Sequence, residues 1–222
     1  MTVGNKQNTK RNRYTTLSAF FNFIINTFDP GLQNPCEASI LQKMFKRSQI
    51  IQWNILEKDI VDEIIFRTTN SRNRIMLELM SRAGMRISEV LKLTPNDTDG
   101  RKLTLRHPKS GRDKELVYIP QRLSNRLEDY IQMKGLGNNE RIFPITYATA
   151  RDMVRKAGKI VNVLVRPHDL RRFAATYASR SGTPIEIVSK VILRHANLST
   201  TQRYLGKVSD IEAMRWIENL YG

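Results

Sequence analysis

Residues that suit the chemistry of phosphate esters recur in three separate stretches of the chain. The stretches are GMRISEVL with Arg86, HDLRR with His168 and Arg171, and LRHANLSTTQRYLG with His195 and Tyr204. An arginine fork binds phosphate oxygens through two parallel hydrogen bonds, and a phenol can act as a nucleophile. Together these side chains form a set that could hold a phosphodiester and attack it without a metal ion.

A further candidate, Lys109, lies at the tip of a predicted hairpin in the segment KSGRDK. An ammonium group at such a tip can reach into a groove and donate a proton to a leaving oxygen. Because Arg112 and Lys114 lie close by, a solvated basic turn explains the segment equally well.

Each motif taken alone also has an ordinary structural explanation. Arg86 opens a predicted helix with Glu89 one turn later, so Glu89 either orients the guanidinium or forms a surface ion pair with it. His168 and Arg171 share one helix face, but a histidine at a helix start usually has no chemical role. A single tyrosine at helical spacing, such as Tyr204, is more often part of a core.

The sequence carries no pattern typical of a metal or nucleotide site. It contains no H-E-x-x-H motif, no paired cysteines, no clustered carboxylates and no glycine-rich P-loop. These patterns supply the ligands of zinc, two-metal and nucleotide sites. We therefore expect no metal, no nucleotide and no small-molecule cofactor.

The charge of the chain predicts a polyanionic partner. Its 222 residues carry 37 Lys and Arg against 21 Asp and Glu, a net charge of +16. Each cation that neutralises a nucleic-acid phosphate releases a condensed counterion, which favours binding. Double-stranded DNA is the partner that fits the candidate chemistry, although charge alone fits RNA or an anionic membrane as well.

Cysteine content and hydropathy predict a cytoplasmic protein. Cys36 is the only cysteine, so no intramolecular disulfide can form, as is usual in a reducing compartment. No apolar run approaches the ~20 residues that a membrane helix needs. The polar, basic start of the chain is unlike a secretory signal, so neither a leader nor a membrane span is expected.

The N-terminal part predicts a short helical segment ahead of a main domain. The first dozen residues resemble an exposed basic tail, and a helix with one apolar face follows from about Thr16. A second helix begins with Asn34 as its N-cap. Because two short helices bury little surface, a linker at Lys46–Asn54 is expected to lead into the larger domain. The expected division is 1–50 and 51–222.

Beyond residue 55 the pattern is mostly helical and is interrupted by one hairpin. Lys102–Arg106 and Glu115–Ile119 alternate between polar and apolar residues, which predicts two antiparallel strands. Gly84 is expected to end one helix, and Thr183-Pro184 to open another. The expected fold class is mostly α with a small antiparallel β-sheet. The other segments with helical spacing are Ile60–Ile65, Ile75–Met80, Ile87–Leu91, Leu123–Met133, Ala148–Ala157, Asp169–Ser179, a helix around Tyr204, and Ile211–Leu220.

In this order the motifs resemble those of the tyrosine recombinase, or phage integrase, family over roughly Ile55 to Leu220. The resemblance implies a tyrosine-recombinase catalytic domain, preceded here by a partial helical core-binding domain. It implies a site-specific DNA recombinase, an integrase that cleaves and rejoins DNA through a 3′-phosphotyrosyl intermediate. The intermediate keeps the bond energy, so no ATP is required, and side chains rather than a metal ion would stabilise the developing charge. The implied partner is double-stranded DNA, with a homo-oligomer assembled on it.

The same resemblance assigns roles to the candidate residues. Arg86 and Arg171 would clamp the non-bridging oxygens of the scissile phosphate. His168 and His195 would hydrogen-bond that phosphate and manage protons.

Two residues would carry the bond-breaking step in such an enzyme. Tyr204 would attack phosphorus, forming a 3′-phosphotyrosyl link and releasing a 5′ hydroxyl. Lys109 would protonate the departing 5′ oxygen.

The chain departs from the family pattern in three places. Only about two helices precede Ile55, where family members usually carry a complete core-binding domain. Arg194 stands where the family often has glycine, and Arg172 where it often has histidine; neither is assigned to catalysis. Two alternatives stay open: a type IB topoisomerase-like relaxation enzyme, and a non-cleaving DNA-binding remnant of a truncated integrase.

Overall fold

The computed structural model describes residues 4–45, 55–106, 108, 113–205 and 210–221, with backbone only at 203, 204, 212, 220 and 221. The chain divides into two compact units, Met1–Gln52 and Trp53–Gly222. The whole of the expected linker, Lys46–Asn54, lies outside the described residues.

The first unit begins with α1, Gln7–Thr27. The helix start near Thr16 expected from sequence is therefore wrong, because the helix begins about nine residues earlier, at Gln7. Long-range contacts support this first part: the Tyr14 hydroxyl donates to the Cys36 carbonyl at 2.6 Å, and the Tyr14 ring stacks on Phe45 with centroids 4.9 Å apart. The apolar periodicity of α1 does not reveal these contacts with later residues, so the sequence placed the start of the helix too late.

The expected apolar face of α1 is only partly buried. Phe20 is 55% exposed and Phe28 is 69% exposed, and no described residue of the helix is fully buried. After α1, Asn34 caps a 3₁₀ turn, Pro35–Glu37, by accepting a hydrogen bond from the Cys36 amide at 2.9 Å. The predicted cap is confirmed, but the helix is interrupted by extended backbone at Ala38 before α2, Ser39–Met44.

The second unit contains the helices expected beyond residue 55. In chain order they are α3 Lys58–Arg67, α4 Ser71–Arg82, α5 Ile87–Val90, α6 Gln121–Lys134, α7 Tyr147–Lys159, α8 Pro167–Arg180, α9 Ile185–Ile187, α10 Leu198–Leu205 and α11 Asp210–Tyr221. None of the helices in the described ranges is long and apolar enough to cross a membrane.

Helix α4 forms the centre of the core. It starts at Asn70, whose side chain accepts a hydrogen bond from the Asn73 amide at 3.1 Å. It packs against α3, α6 and α8 and therefore buries more than one face. Its most deeply buried side chains are Ile75, Met76, Leu77, Leu79 and Met80.

A three-stranded antiparallel sheet packs on one side of this core. Strand β2, Lys102–Arg106, pairs with β1, Thr98–Asp99, and with β3, Lys114–Tyr118. The hairpin and the mostly helical fold class are confirmed, whereas β1 is too short to show a period in sequence. Alternation along β3 turns Val117 inward together with the carboxylate of Glu115.

The segment that follows α9 is a π-helix, Val188–Ile192. Sequence periodicity predicts one ordinary α-helix opened by Thr183-Pro184. The structure instead has a short α-helix, α9, that continues as a wider π turn. Such π segments are uncommon and often lie next to functional residues. This one leads directly to Arg194 and His195.

Candidate active site

A cleft of about 630 Å³ in the second unit collects much of the predicted site. Its walls are the start of α5, one face of α7 and the start of α8. Asp152 supplies a carboxylate to the lining, and the other charged residues there are predominantly arginine. Such a concentration of guanidinium groups favours a phosphate-bearing ligand. The basic and imidazole side chains lining the cleft are Arg86, Arg151, Arg155, Arg166, His168 and Arg171.

Arg86 stands at the N-cap of α5 and is held by Glu89. Its Nη1 donates to Glu89 Oε1 at 2.5 Å, and its amide donates to Glu89 Oε2 at 2.8 Å. Glu89 is buried, so this is not the solvated surface pair that sequence left open. Burial favours the neutral acid, but the charge of Arg194 and the hydrogen bonds from Arg86 outweigh it and lower the pKa of Glu89. Glu89 therefore orients Arg86 as a carboxylate.

Arg171 projects from α8 and is the largest fully buried side chain among the described residues, at 1% exposure. Its Nη1 donates to the Gly84 carbonyl and its Nη2 to the Leu193 carbonyl. These bonds attach α8 to the loop before α5 and to the segment that carries His195. The guanidinium is thus fixed at the floor of the cleft by backbone oxygens.

Arg194 is the least expected member of the cluster. Its side chain is 2% exposed, and its Nη2 donates to Glu89 Oε2 at 2.8 Å. Its Nε lies 3.6 Å from Glu115 Oε2, which makes the inward carboxylate of β3 its second partner. Its φ is 51°, in the left-handed region that costs a residue with a Cβ about 1–2 kcal/mol. A glycine at this position would avoid that strain.

His168 lies at the second position of α8, at the solvent edge of the cleft. Partial desolvation lowers its pKa, and the charges of Arg172 and Arg171 lower it further, against the opposing effect of Asp169. Arg172 does not point to solvent: it is buried and lies 3.3 Å from Asp169. His168 is therefore neutral near pH 7, so one of its ring nitrogens can donate a hydrogen bond and the other can accept one.

His195 follows the π-helix and is held by two hydroxyl residues. Its Nδ1 lies 3.0 Å from Thr201 Oγ1, and Thr201 in turn donates to Ser189 Oγ at 2.9 Å. The donor in the bond between His195 and Thr201 depends on the ring tautomer; the Nδ1–H tautomer, which lets Thr201 donate to Ser189, leaves Nε2 as the acceptor. Desolvation, then the charges of Arg171, Arg86 and Arg194, lower the pKa of His195 to about 4. A neutral imidazole is thus maintained at physiological pH.

The Ser199-Thr200-Thr201 stretch before Tyr204 consists of residue types that commonly cap helices, but it does not cap α10. Instead Asn197 accepts from the Ser199 amide at 2.9 Å at the start of α10, and Thr201 turns fully inward. The role of Thr201 as the partner of His195 was missed. Helical spacing within LSTTQRYL places Thr201 on an inner face, but no sequence feature names the histidine as its target.

Two predicted site residues are not tested by the geometry. Lys109 lies outside the described residues. Tyr204 lies on α10, three residues after Thr201, but the described part of the chain does not include its side chain. The structure therefore brings Arg86, His168 and Arg171 into one cleft, whereas His195 is not among the residues that line it.

In the sequence, Arg194 stands out only as a departure from the family pattern. A signal for its burial was present in β3, where the alternating pattern turns Glu115 to the same side as Val117. A carboxylate on the core side of a strand requires a buried cation or proton. The identity of that cation could not be read from the pattern, because Arg194 lies in a distant segment.

The chain matches the sequence model of the phage integrase family over residues 54–209. A tyrosine recombinase of Pseudothermotoga lettingae is 31% identical over 216 residues, which cover 90% of this chain and 73% of that protein. Tyrosine recombinase XerA of Pyrococcus horikoshii is 32% identical over 183 residues, which cover 75% of this chain and 63% of that protein. The chain thus spans roughly two thirds to three quarters of the length of these relatives.

Solved structures give the same fold. The Tn1549 transposon integrase in complex with transposon right end DNA superimposes with a TM-score of 0.74 at 18% identity, covering 99% of this chain and 81% of that one. The XerA recombinase crystal structure gives 0.67 at 20% identity, covering 98% and 77%. Since the family model covers most of the second unit and a relative above 30% identity covers nearly the whole chain, the relationship rests on sequence as well as fold. The chain belongs to the phage integrase family of tyrosine recombinases.

Proposed function

We propose that this chain is a site-specific DNA recombinase that cuts and rejoins DNA through a 3′-phosphotyrosyl intermediate, with no metal ion and no ATP. The observation that carries the proposal is the cleft in which Arg86, His168 and Arg171 converge. Both guanidiniums are fixed in place, one by Glu89 and the other by two backbone carbonyls. Preorganised donors of this kind stabilise the charge that develops on a phosphate in the transition state.

In the proposed reaction Tyr204 Oη attacks the scissile phosphorus as its phenolic proton passes to the neutral imidazole of His168. The bond from phosphorus to the 5′ oxygen breaks, and Lys109 gives that oxygen a proton. Arg86 and Arg171 bind the non-bridging oxygens, while His168 and His195 donate or accept hydrogen bonds in their neutral forms. The reverse attack by a 5′ hydroxyl on the phosphotyrosine rejoins the strand.

Double-stranded DNA is the proposed substrate and partner. The net charge of +16 and the arginine-lined cleft supply the cations that would neutralise its phosphates. The transposon integrase of similar fold is bound to transposon end DNA. By analogy we assign the DNA backbone to the cleft of this chain.

We also propose that the chain assembles as a homo-oligomer on DNA. Helix α11 leaves Ile211 81%, Met214 70% and Ile217 59% exposed, at a spacing that places them on one face. Uncovered apolar faces of this kind commonly mark protein interfaces. Sedimentation of the complex with DNA would measure how many chains it contains.

The test of the proposed chemistry is covalent capture. A nicked suicide duplex that carries the cognate site is incubated with protein in EDTA and analysed on a denaturing gel. Tyr204→Phe should abolish the protein–DNA adduct and change DNA affinity by less than about twofold, because only one hydroxyl is removed. Tyr147→Phe is the matched control, since Tyr147 also lines the cleft but should leave the adduct intact.

Equal adduct from the Tyr204→Phe protein would refute the assignment of the nucleophile. No adduct from the unmodified protein on cognate DNA would favour the non-cleaving remnant. Relaxation of a plasmid that lacks any recognition site would instead favour the topoisomerase-like alternative.

A further inference from the structure

We propose that Arg194 is a positioning residue for Arg86, acting through Glu89. Its guanidinium holds the Glu89 carboxylate in the orientation that presents Arg86 to the phosphate. The proposal deepens the function proposed above and rests on it, because Arg86 is there a phosphate ligand.

The Glu89 carboxylate is shared between the two arginines. Oε1 accepts from Arg86 Nη1 at 2.5 Å, while Oε2 accepts from the Arg86 amide at 2.8 Å and from Arg194 Nη2 at 2.8 Å. Arg194 therefore fixes the oxygen that Arg86's guanidinium does not use. With both oxygens held, the carboxylate cannot rotate and Oε1 stays directed at Arg86.

Arg194 is itself held from several sides. Its Nη1 donates to the Ile192 carbonyl at 2.9 Å, and its Nη2 also lies 3.4 Å from the Gly84 carbonyl. Glu115 on β3 lies 3.6 Å from its Nε. The planar guanidinium thus joins α5, β3 and the segment after the π-helix, a set of directions that a lysine ammonium cannot satisfy together.

The position of Arg194 argues against a role in local backbone stability. At φ 51° a glycine would be free of strain, whereas arginine adds strain and buries a charge. What the side chain adds is a cation between two buried carboxylates, one of which orients Arg86. It also connects Glu89 of one site stretch to the stretch that carries His195.

The experiment compares Arg194→Met, Arg194→Lys and the unmodified protein in the suicide-duplex assay at saturating DNA. Arg194→Met should slow adduct formation by roughly 10- to 100-fold, the range expected when a catalytic group is misplaced by about 1 Å. DNA affinity should change by less than about twofold, because Arg194 does not line the cleft. Arg194→Lys should restore part of the rate, since an ammonium can still pair with Glu89.

Glu115→Gln is the matched control for a purely structural effect. It removes the other carboxylate partner of Arg194 but leaves the contact between Arg194 and Glu89. The rate should stay within about threefold of the unmodified protein, less than the loss expected of a misplaced catalytic group. Equal losses of rate in Glu115→Gln and Arg194→Met would overturn the positioning role, as would an unchanged rate in Arg194→Met.

Arg194→Gly keeps the proposal testable if the methionine variant does not fold, because glycine relieves the left-handed backbone and still removes the guanidinium. Crystal structures of the variant and the unmodified protein give a readout that does not depend on cleavage. Glu89 should turn and the Arg86 guanidinium should move away from the cleft; an unmoved Arg86 would overturn the inference. Absence of adduct from the unmodified protein would count against the proposed function instead.

Discussion

Arg171 and Arg194 donate to the same carbonyl oxygen, that of Gly84. Two guanidiniums on one oxygen would repel each other, but Glu89 lies next to Arg194 and offsets its charge. The cluster therefore presents net positive charge toward the cleft while its buried side stays balanced. Desolvation is the largest cause that lowers the pKa of His168 and His195, and the positive charge of the cluster lowers both further.

The protonation of His195 gives a prediction at this scale. Its pKa is lowered to about 4 by desolvation and by Arg171, Arg86, Arg194 and His168. We expect NMR titration of the His195 ring to show a midpoint near pH 4. His195 should therefore stay neutral down to about pH 5, and over that range its contribution to the rate of adduct formation should not change. A midpoint at or above the ordinary 6.5 would contradict the geometry of the pocket.

The same shift determines how stability depends on pH. Between the folded pKa and the ordinary value, the unfolded chain binds a proton at His195 that the folded chain does not. Stability should therefore fall as pH decreases from 6.5 toward about 4. His168, whose pKa is also lowered, adds to the fall with the same sign. His195→Gln should flatten part of this dependence in urea unfolding measured across that window.

At the scale of elements, Gly84, which follows α4, packs closely against Ile192, the last residue of the π-helix. Its φ is +61°, and a Cβ there would lie 2.9 Å from both Ile192 Cγ2 and the Ile192 carbonyl oxygen. Gly84→Ala should therefore lower the free energy of unfolding by about 2–4 kcal/mol, combining left-handed strain with a backbone clash. Gly135→Ala is the control, since Gly135 has φ +60° but nothing within 4 Å of its Cβ.

The control should lose only the strain, about 1 kcal/mol. Both variants can be compared by urea denaturation monitored by circular dichroism. Equal losses of stability in the two variants would show that the methyl group added at position 84 causes no costly clash with Ile192.

Elements with a strong local period were predictable from sequence, and those made by distant contacts were not. Helices α6, α7 and α8 follow apolar spacing, and the hairpin follows alternation between Lys102–Arg106 and its partner strand. The early start of α1 depends on Tyr14 meeting residues beyond the helix, and the π-helix depends on packing. No local pattern encodes either.

The same distinction holds for the site. Arg86, His168 and Arg171 were found because their motifs are local and their order is typical of a family. The burial of Arg194 depends on Glu89 and Glu115, which lie about a hundred and about eighty residues earlier in the chain. Pairings over such separations are set by the fold, so they became visible only in three dimensions.

At the scale of the whole molecule, charge should govern binding to DNA. A protein that neutralises phosphates shows a linear fall of log affinity with log salt, at about 0.9 per phosphate contacted. Arg151→Ala should reduce that slope by about 1, because Arg151 lines the cleft. Lys134→Ala removes an equal charge from the exposed end of α6, outside the cleft lining, and should leave the slope unchanged.

Fluorescence anisotropy at several salt concentrations measures both slopes. A larger change for Lys134→Ala than for Arg151→Ala would move the DNA path away from the cleft. Equal changes would indicate nonspecific attraction by net charge alone.

The π-helix Val188–Ile192 has a consequence for the genetic changes that the chain tolerates. A π turn is equivalent to one residue inserted into an α-helix, so deleting a single codon there would restore the ordinary pitch. Inserting a further residue there would instead rotate everything downstream by about 100° relative to α8, since each residue of an α-helix turns by that angle. A single-residue deletion in this short stretch should therefore be accepted more readily than a single-residue insertion, which would swing the imidazole out of register with both guanidiniums.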